Sequence, residues 1–233
     1  MRQKFLITGA SSGIGAAIAN RLLQAGHRVV GLARRGGVRK EDANFTIAKC
    51  DLADLNSLGG RLKEIALLHT VLDGVILCAG TGDFGSLEEF SDARIWRLID
   101  LNLTSAIHVA QTFLPPMKRR GGGNLVIIGS EAALRGGRRG AVYAATKFGL
   151  RGLAQSLREE CAGSGVPVSL VNPGMVDTPF FDNLDFAPGE DPENYIRPDD
   201  VAEVVMMILN MSPGTVIDEV NLSPLKKVIR SKR

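Results

Sequence analysis

Seven short apolar runs alternate with helical stretches along this chain, and this alternation restricts its fold more than any other feature. KFLIT (Lys4–Thr8) and NLVIIGS (residues 124–130) are two of the runs, and continuously apolar runs are typical of strands buried on both faces. Strands that alternate with helices form βαβ units, which build a parallel sheet with helices on both sides. We therefore predict an α/β fold, a doubly wound three-layer sandwich with a seven-stranded parallel sheet.

Two long helical stretches are predicted in the middle of the chain. The first runs from about Ser91 to Leu114, and Pro115 and Pro116 are expected to end it because proline breaks helices. The second, AVYAATKFGLRGLAQSLREECAG, is rich in alanine and leucine and is expected to end at Gly163.

The composition predicts one folded domain over residues 1–233, because 45% of the residues are hydrophobic and 23% are charged. A net charge of +3 is too small to indicate a nucleic-acid partner. Part of this charge lies in the basic C-terminal tail, KKVIRSKR, which we expect to be solvated.

The cysteines and histidines predict no metal site. Cys50, Cys78 and Cys161 are far apart, and the three histidines are scattered. Unpaired cysteines are typical of a reducing compartment. The N-terminus enters a strand pattern without a signal peptide, and no apolar stretch approaches the ~20 residues needed to cross a bilayer. We therefore expect a cytoplasmic protein without a membrane segment.

A glycine-rich stretch, LITGASSGIG, begins within the first apolar run. Its glycines, Gly9, Gly13 and Gly15, have the spacing G-x-x-x-G-x-G. A strand-to-helix turn of this kind presents backbone N–H groups and the positive end of a helix to a pyrophosphate, and Ser11 and Ser12 add hydroxyl donors. A glycine-rich turn without a ligand is the alternative, but the position after the first strand favours dinucleotide binding.

The second apolar run is followed by Arg34 and Arg35 rather than by an acidic residue. A carboxylate at this point binds the adenosine ribose 2′-hydroxyl, whereas an arginine accommodates a 2′-phosphate. The pair therefore predicts NADP(H) in preference to NAD(H), with Arg34 as the stronger candidate. A solvated surface pair is the alternative, and it applies readily to one of the two.

Tyr143 and Lys147 stand four residues apart in the second long helical stretch, so they share one helical face. A phenol titrates near ~10, and a neighbouring ammonium favours the phenolate, so we expect Lys147 to lower the pKa of Tyr143 for acid–base catalysis. Ser130 ends the fifth apolar run, where its hydroxyl is placed to bind a substrate carbonyl. Each residue alone has an ordinary structural explanation, but all three in this order after a glycine turn favour a catalytic site.

These motifs resemble the short-chain dehydrogenase/reductase family over nearly the whole chain. The resemblance implies a Rossmann-like fold and a catalytic tetrad of Asn102, Ser130, Tyr143 and Lys147. It also implies a mechanism in which nicotinamide delivers hydride to a carbonyl carbon, Tyr143 protonates the alkoxide and Ser130 stabilises its oxygen. Lys147 would hold the nicotinamide ribose, and Asn102 would distort its helix and hold a water in a proton relay.

The resemblance extends to the cofactor contacts. Asp51 in CDL matches the residue that contacts adenine, and Val176 and Thr178 in NPGMVDT match contacts near the nicotinamide carboxamide. The sequence departs from the family in LCAG, where Cys78 replaces a bracing asparagine, and in the glycine turn, where serines replace a basic residue. The predicted cofactor-binding residues are Gly9, Ser11, Ser12, Gly13, Ile14, Gly15, Arg34, Arg35, Asp51, Leu52, Ala79, Gly80, Tyr143, Lys147, Pro173, Gly174, Val176 and Thr178.

Residues 175–196 are expected to form a lid over the substrate. The segment carries Phe180, Phe181, Phe186 and Tyr195, which favour a small and mostly uncharged carbonyl compound because ligand sites are mostly apolar. At least half of these aromatic residues are expected only to pack the segment onto the body. Six acidic residues in the segment weigh against an anionic substrate.

The loop ALRGGRRG, in contrast, favours an anionic substrate or partner. Its Arg135, Arg138 and Arg139 lie between Ser130 and Tyr143 and match an acidic carrier protein or a negatively charged substrate. A solvated loop or a subunit contact is the more common explanation of such a loop.

Three functions are compatible with this pattern. The first is an NADPH-dependent carbonyl reductase acting on a small molecule, and the second is a 3-oxoacyl-(acyl carrier protein) reductase. The third is a non-enzymatic NADP(H)-sensing scaffold, which has no need of Ser130 and Tyr143 together. In the family the equivalents of the two long helices build a dimer interface, so we expect a homodimer or homotetramer.

Overall fold

The computed structural model describes residues 2–34 and 43–232, so Arg35 lies outside the described residues. The strands are β1 (Lys4–Thr8), β2 (Arg28–Ala33), β3 (Phe45–Lys49), β4 (Gly74–Leu77), β5 (Asn124–Ile128), β6 (Val168–Pro173), β7 (Phe186–Pro188), β8 (Glu219–Leu222) and β9 (Ile229–Ser231). The predicted sheet is confirmed: it has seven strands in the order β3-β2-β1-β4-β5-β6-β8. All neighbouring strands in it are parallel, so their carboxyl ends share one edge.

Helices cover both faces of this sheet, as the alternation predicted. The α-helices of the described residues are α1 (Gly13–Gln24), α2 (Leu55–Leu68), α3 (Asp92–Ile99), α4 (Ser105–Arg120), α5 (Ala141–Ala162) and α6 (Pro198–Leu209). On one face, Ile18 of α1 and Val205 of α6 belong to one fully buried core cluster. On the other, Leu58 of α2, Phe113 of α4 and Leu150 of α5 belong to a second. Burying both faces stabilises the sheet mainly through removal of apolar surface from water.

The predicted helix from Ser91 to Leu114 was wrong in two respects. A π-helical turn, Asp100–Thr104, separates α3 from α4, and α4 continues through Pro115 and Pro116 to Arg120. Proline removes one backbone donor and crowds the preceding turn, but it does not prevent a helix whose neighbours are anchored. Leu114 and Met117 are buried on either side of the two prolines. Their packing against the core holds the last turns helical.

The basic tail is not merely solvated, which corrects the sequence expectation. β9 pairs antiparallel with β7 in the lid segment (175–196), in the register Phe186 with Ser231. Two tail cations form ion pairs with lid acids: Lys226 with Glu193, and Arg230 with Glu190 at 2.9 Å. The tail therefore lies along the lid segment, and it neutralises two of that segment's carboxylates.

Across residues 2–34 and 43–232, no helix combines the length and the apolar character needed to cross a membrane.

Candidate functional site

The glycine turn lies between β1 and α1 and fits a dinucleotide pyrophosphate. Gly13 begins α1 with φ +52°, and a Cβ there would come within 3.2 Å of the Thr178 side chain. Ser12 precedes the helix, and its side chain makes no capping bond in the described chain. The N–H groups of the first turn of α1 therefore have no side-chain cap, and they are the donors that a phosphate accepts from.

Gly15 is required for packing within the glycine turn. A Cβ on Gly15 would lie 2.3 Å from the Gly9 carbonyl oxygen, which is closer than real Cβ contacts come. This glycine is required because the turn folds back onto the first helical turn. The spacing G-x-x-x-G-x-G is therefore partly a packing requirement of the turn itself.

The predicted adenosine contacts Arg34 and Asp51 do not line the cavity that contains Ser130, Tyr143 and Lys147. Arg34 follows β2 and is exposed. Asp51 is also exposed, and its carboxylate accepts the Ala53 N–H at 3.0 Å, while Leu52 is buried. Both charged side chains border the carboxyl edge of the sheet near the glycine turn. An adenosine half of a dinucleotide would lie here on an open surface.

A cavity of about 1070 Å³ opens at the same edge of the sheet. It brings together Ser130, Tyr143 and Lys147, which were predicted as catalytic. Of the predicted cofactor contacts it also includes Ile14, Gly80, Pro173, Gly174, Val176 and Thr178. Residues from both ends of the chain therefore meet in one space, as a site at the carboxyl ends of parallel strands requires.

Ser130 and Tyr143 both line the cavity, and the Ser130 hydroxyl is a hydrogen-bonding group close enough to lower the pKa of the Tyr143 phenol. Ser130 Oγ accepts the Ala132 N–H at 3.1 Å. Asn172, at the end of β6, accepts the Ser130 N–H at 3.3 Å and is fully buried. Sequence reasoning missed the role of Asn172 in holding Ser130, because nothing local in the sequence pairs residues 130 and 172.

Burial dominates the acid–base properties of this site. It raises the pKa of Tyr143 to about 12, against the hydrogen bond from Ser130, and the charge of Glu131 adds to the rise. It lowers the pKa of Lys147 to about 8. The expected lowering of the Tyr143 pKa by Lys147 is therefore not found. The free energy needed to remove a phenolate from water exceeds the stabilisation that the neighbouring groups provide. Lys147 Nζ lies 5.7 Å from the Tyr143 ring centroid and donates to the Ile128 carbonyl at 3.4 Å.

Asn102 lies in the π-helical turn. The helix is therefore distorted at this residue, as the family resemblance predicts. Its side chain is fully buried and pairs with Thr81 in both directions, each bond being 2.9 Å long. The amide also donates to Thr146 Oγ1 at 3.3 Å, and Thr146 Oγ1 donates to the Tyr143 carbonyl at 2.7 Å. Asn102 therefore connects the segment after β4 to the helix that carries Tyr143 and Lys147.

Thr8 stabilises the sheet edge at Cys78, where the family's asparagine is absent. Thr8 Oγ1, at the end of β1, accepts the N–H groups of Cys78 at 2.8 Å and Ala79 at 2.9 Å. Thr8 is buried. Sequence reasoning missed this residue because a threonine at the end of a strand has no distinctive local signal.

Aromatic rings surround the Tyr143 side of the cavity. Phe84 lies 5.1 Å from Tyr143 between ring centroids and 5.0 Å from Phe186. Phe180 lies 6.0 Å from Tyr143 and 5.1 Å from Phe181. Three of the four lid aromatics predicted from the sequence thus reach the site, and Phe84 was missed. The exposed arginines of the 134–140 loop also line the cavity: Arg135, Arg138 and Arg139.

Comparison with known proteins identifies the family. Residues 3–187 match the family model described as short chain dehydrogenase. The chain belongs to this family. The chain is 31% identical over 225 residues to an uncharacterized oxidoreductase of Staphylococcus epidermidis, covering 94% of this chain and 96% of the relative.

Two further proteins resemble this chain. The 3-oxoacyl-(acyl-carrier-protein) reductase MabA of Mycobacterium avium is 32% identical, with 77% of this chain and 69% of the relative covered. An alcohol dehydrogenase from the archaeon Thermococcus sibiricus, solved with 5-hydroxy-NADP, superposes with a TM-score of 0.83 at 28% identity. That match covers 95% of this chain and 96% of the archaeal chain. The chain is therefore an oxidoreductase by family.

Proposed function

We propose that this protein is an NADP(H)-dependent carbonyl reductase for a small, mostly uncharged substrate. The observation that carries the proposal is the convergence of Ser130, Tyr143 and Lys147 in one cavity lined by aromatic rings, with Lys147 one helical turn from Tyr143. In this proposal residues 1–233 are one nucleotide-binding domain, and residues 175–196 are its substrate lid. The archaeal relative solved with an NADP derivative supports the cofactor class.

The side chains of the cavity suit proton transfer to a carbonyl oxygen. A bound nicotinamide cofactor supplies the hydride, and that chemistry is its own. Tyr143 donates its hydroxyl proton to the oxygen as negative charge develops there. Ser130 donates a hydrogen bond to the same oxygen, which stabilises the charge without rearrangement. Lys147, one helical turn from Tyr143, would hold the nicotinamide ribose.

The raised pKa of Tyr143 suits the role of proton donor in carbonyl reduction. With a pKa of about 12, the phenol keeps its proton throughout the neutral range and serves as a general acid. Oxidation of an alcohol needs the phenolate as base, so its rate is expected to rise with pH. The contacts of Asn102 with Thr81 and Thr146 support a positioning role within the tetrad.

The direct test is oxidation of NADPH by purified protein against a panel of aldehydes and ketones, apolar and aromatic compounds included. Absorbance at the nicotinamide band measures turnover, and calorimetry measures NADPH binding separately. Binding with turnover of an apolar carbonyl compound supports the proposal. Binding without turnover of any panel member supports the NADP(H)-sensing scaffold instead.

The cofactor preference is tested at Arg34. Arg34→Ala is expected to raise the Kd for NADPH by about tenfold to a hundredfold, because a charge-assisted bond to the 2′-phosphate contributes about 1.5–3 kcal/mol. The Kd for NADH is expected to stay unchanged, because NADH lacks that phosphate. Arg28→Ala, at the opposite end of the same strand, is the matched control. Equal Kd changes for both cofactors would refute the assignment.

A second candidate function is reduction of 3-oxoacyl groups on a carrier protein. Three exposed arginines border the cavity, and tail cations neutralise Glu190 and Glu193 of the lid, which removes part of the charge argument against an acidic partner. The similarity to MabA supports the same function. Turnover of an acetoacetyl thioester at a rate well above that of simple ketones would favour it.

We further propose a homodimer or homotetramer assembled through the helices at one side of the sheet. Trp96 on α3, Ile107 on α4 and Phe148 on α5 are 62%, 43% and 44% exposed, which is unusual for large apolar side chains. Sedimentation equilibrium of the wild-type chain and of a Phe148→Glu variant tests this assembly.

A further inference from the structure

The tail segment (residues 224–232) reaches the cavity from outside the part of the chain that matches the family model. That match ends at residue 187, whereas Lys227, Ile229 and Ser231 all line the cavity. The tail segment is held there by the pairing of β9 with β7 and by three further backbone bonds. They run from Gly189 N–H to the Val228 carbonyl at 3.0 Å, from Lys226 N–H to the Glu193 carbonyl at 2.9 Å and from Lys232 N–H to the Asp185 carbonyl at 2.8 Å. Its position therefore depends on contacts between the tail segment and the lid segment.

One tail side chain contacts the catalytic side of the cavity. Lys227 Nζ forms an ion pair with Glu131 Oε2. Glu131 directly follows Ser130 in the chain and lines the same cavity as Tyr143. The pair is accessible to water, since the side chains of Lys227 and Glu131 are 62% and 35% exposed. Its effect on a neighbour is therefore modest and is screened by salt.

The charge of Glu131 acts on the phenol. It contributes to raising the pKa of Tyr143, because a nearby negative charge disfavours the phenolate. The other titratable groups that face this space are Cys78 after β4, Lys147 on α5, Asp185 on the lid segment and the three arginines of the 134–140 loop. Among these groups, Lys227 is the cation with an ion pair to Glu131.

We propose that Lys227 is a positioning residue for proton transfer: its ammonium holds and neutralises Glu131 beside the Ser130–Tyr143 pair, and so eases formation of the Tyr143 phenolate. The proposal rests on the proposed function, in which Tyr143 exchanges a proton with the substrate oxygen. Lys227 acts through Glu131 and does not touch the reacting atoms. The tail segment thereby couples the lid to the electrostatics of the catalytic pair.

The first test is the pH profile of alcohol oxidation, where Tyr143 must be ionised. Lys227→Met leaves Glu131 unbalanced, so between about pH 6 and 9, where a lysine is charged, the rise of log rate with pH is expected to move to higher pH by roughly half a unit at low salt. Glu131→Gln is expected to move it to lower pH, and the double variant is expected to lie near wild type. Lys227→Arg is expected to retain the wild-type profile. The displacement is expected to shrink as salt is raised.

The matched control is Lys226→Met. Lys226 is the preceding residue, carries the same charge and pairs with Glu193 on the lid rather than with Glu131. Its profile is expected to coincide with that of wild type. An unchanged profile for Lys227→Met, or an equal displacement for Lys226→Met, would overturn the proposal, because either result shows that the Lys227–Glu131 pair has no specific effect.

A second measurement separates this proposal from the proposed function. The chain has two tyrosines, so a Tyr195→Phe background leaves Tyr143 alone. Ionisation of a ¹³Cζ-labelled Tyr143 is then followed by NMR, with circular dichroism on the same samples to verify the fold. Lys227→Arg and Lys227→Met are compared in this background, because an arginine keeps its charge at the pH where the phenol ionises and a lysine does not. Lys227→Arg is expected to show the earlier onset of ionisation even if no substrate is turned over. An identical onset in the two variants overturns the proposal, whether or not the protein reduces carbonyl compounds.

Discussion

Tyr143→Phe is expected to lower kcat for carbonyl reduction by about 10²- to 10⁴-fold, the usual contribution of a positioned general acid. The substitution removes one oxygen atom from a ring that Phe84 and Phe180 already surround, so the aromatic packing remains. Ser130 loses the phenol as a partner but still accepts the Ala132 N–H. The loss of rate therefore reports proton transfer rather than a collapsed site.

The measurement is single-turnover NADPH oxidation with the best substrate of the panel, together with calorimetric titration of NADPH. The Kd for NADPH is expected to stay close to wild type. Tyr195→Phe is the matched control, since it removes the other phenol of the chain from the lid segment and is expected to retain turnover. Turnover by Tyr143→Phe at the wild-type rate would show that another group supplies the proton.

Gly15→Ala is expected to destabilise the fold by about 3 kcal/mol, at the upper end of what an overpacked methyl group costs. The new Cβ would meet the Gly9 carbonyl oxygen at 2.3 Å and the carbonyl carbon at 2.8 Å. Both are backbone atoms, so no side chain is available to move aside. The glycine turn must open, and the cofactor Kd is expected to rise by tenfold or more as the first-turn N–H groups lose their arrangement.

Gly60→Ala is the matched control for this substitution. Gly60 lies within α2, is exposed, and has no neighbouring atom within 4 Å of an added Cβ. Alanine there is expected to stabilise the protein by about 0.5–1 kcal/mol through helix propensity. Urea unfolding of both variants measures the contrast. A Gly15→Ala protein as stable as wild type, with normal cofactor binding, would show that the turn tolerates a side chain.

Features that depend on local pattern were predictable. The seven-stranded parallel sheet follows from the alternation of apolar runs and helices, and the joint position of Tyr143 and Lys147 follows from helical periodicity. The end of α5 before Gly163 follows from the same reasoning. In each case the interacting residues are close in sequence or obey a repeating geometry.

Features that depend on distant packing were not predictable in the same way. The π-helical turn at Asn102 was implied only by family resemblance, and the continuation of α4 through its prolines depends on the burial of Leu114 and Met117. The predicted direction of the Tyr143 pKa shift was wrong, because helical spacing indicates how close a charge lies and not how deeply the phenol is buried. Burial is a property of the whole assembled core.

The amino-acid sequence by itself determined the class of fold, the family and the set of polar residues at the carboxyl edge of the sheet, since periodicity and motif spacing are local. Only the tertiary structure decided which distant groups support that set. Thr8 braces the end of β4, Asn172 holds Ser130, and Lys227 reaches Glu131 from the tail segment. The physical reason is that each of these contacts joins residues far apart in the chain, and their meeting is a consequence of how the strands pair and the helices pack.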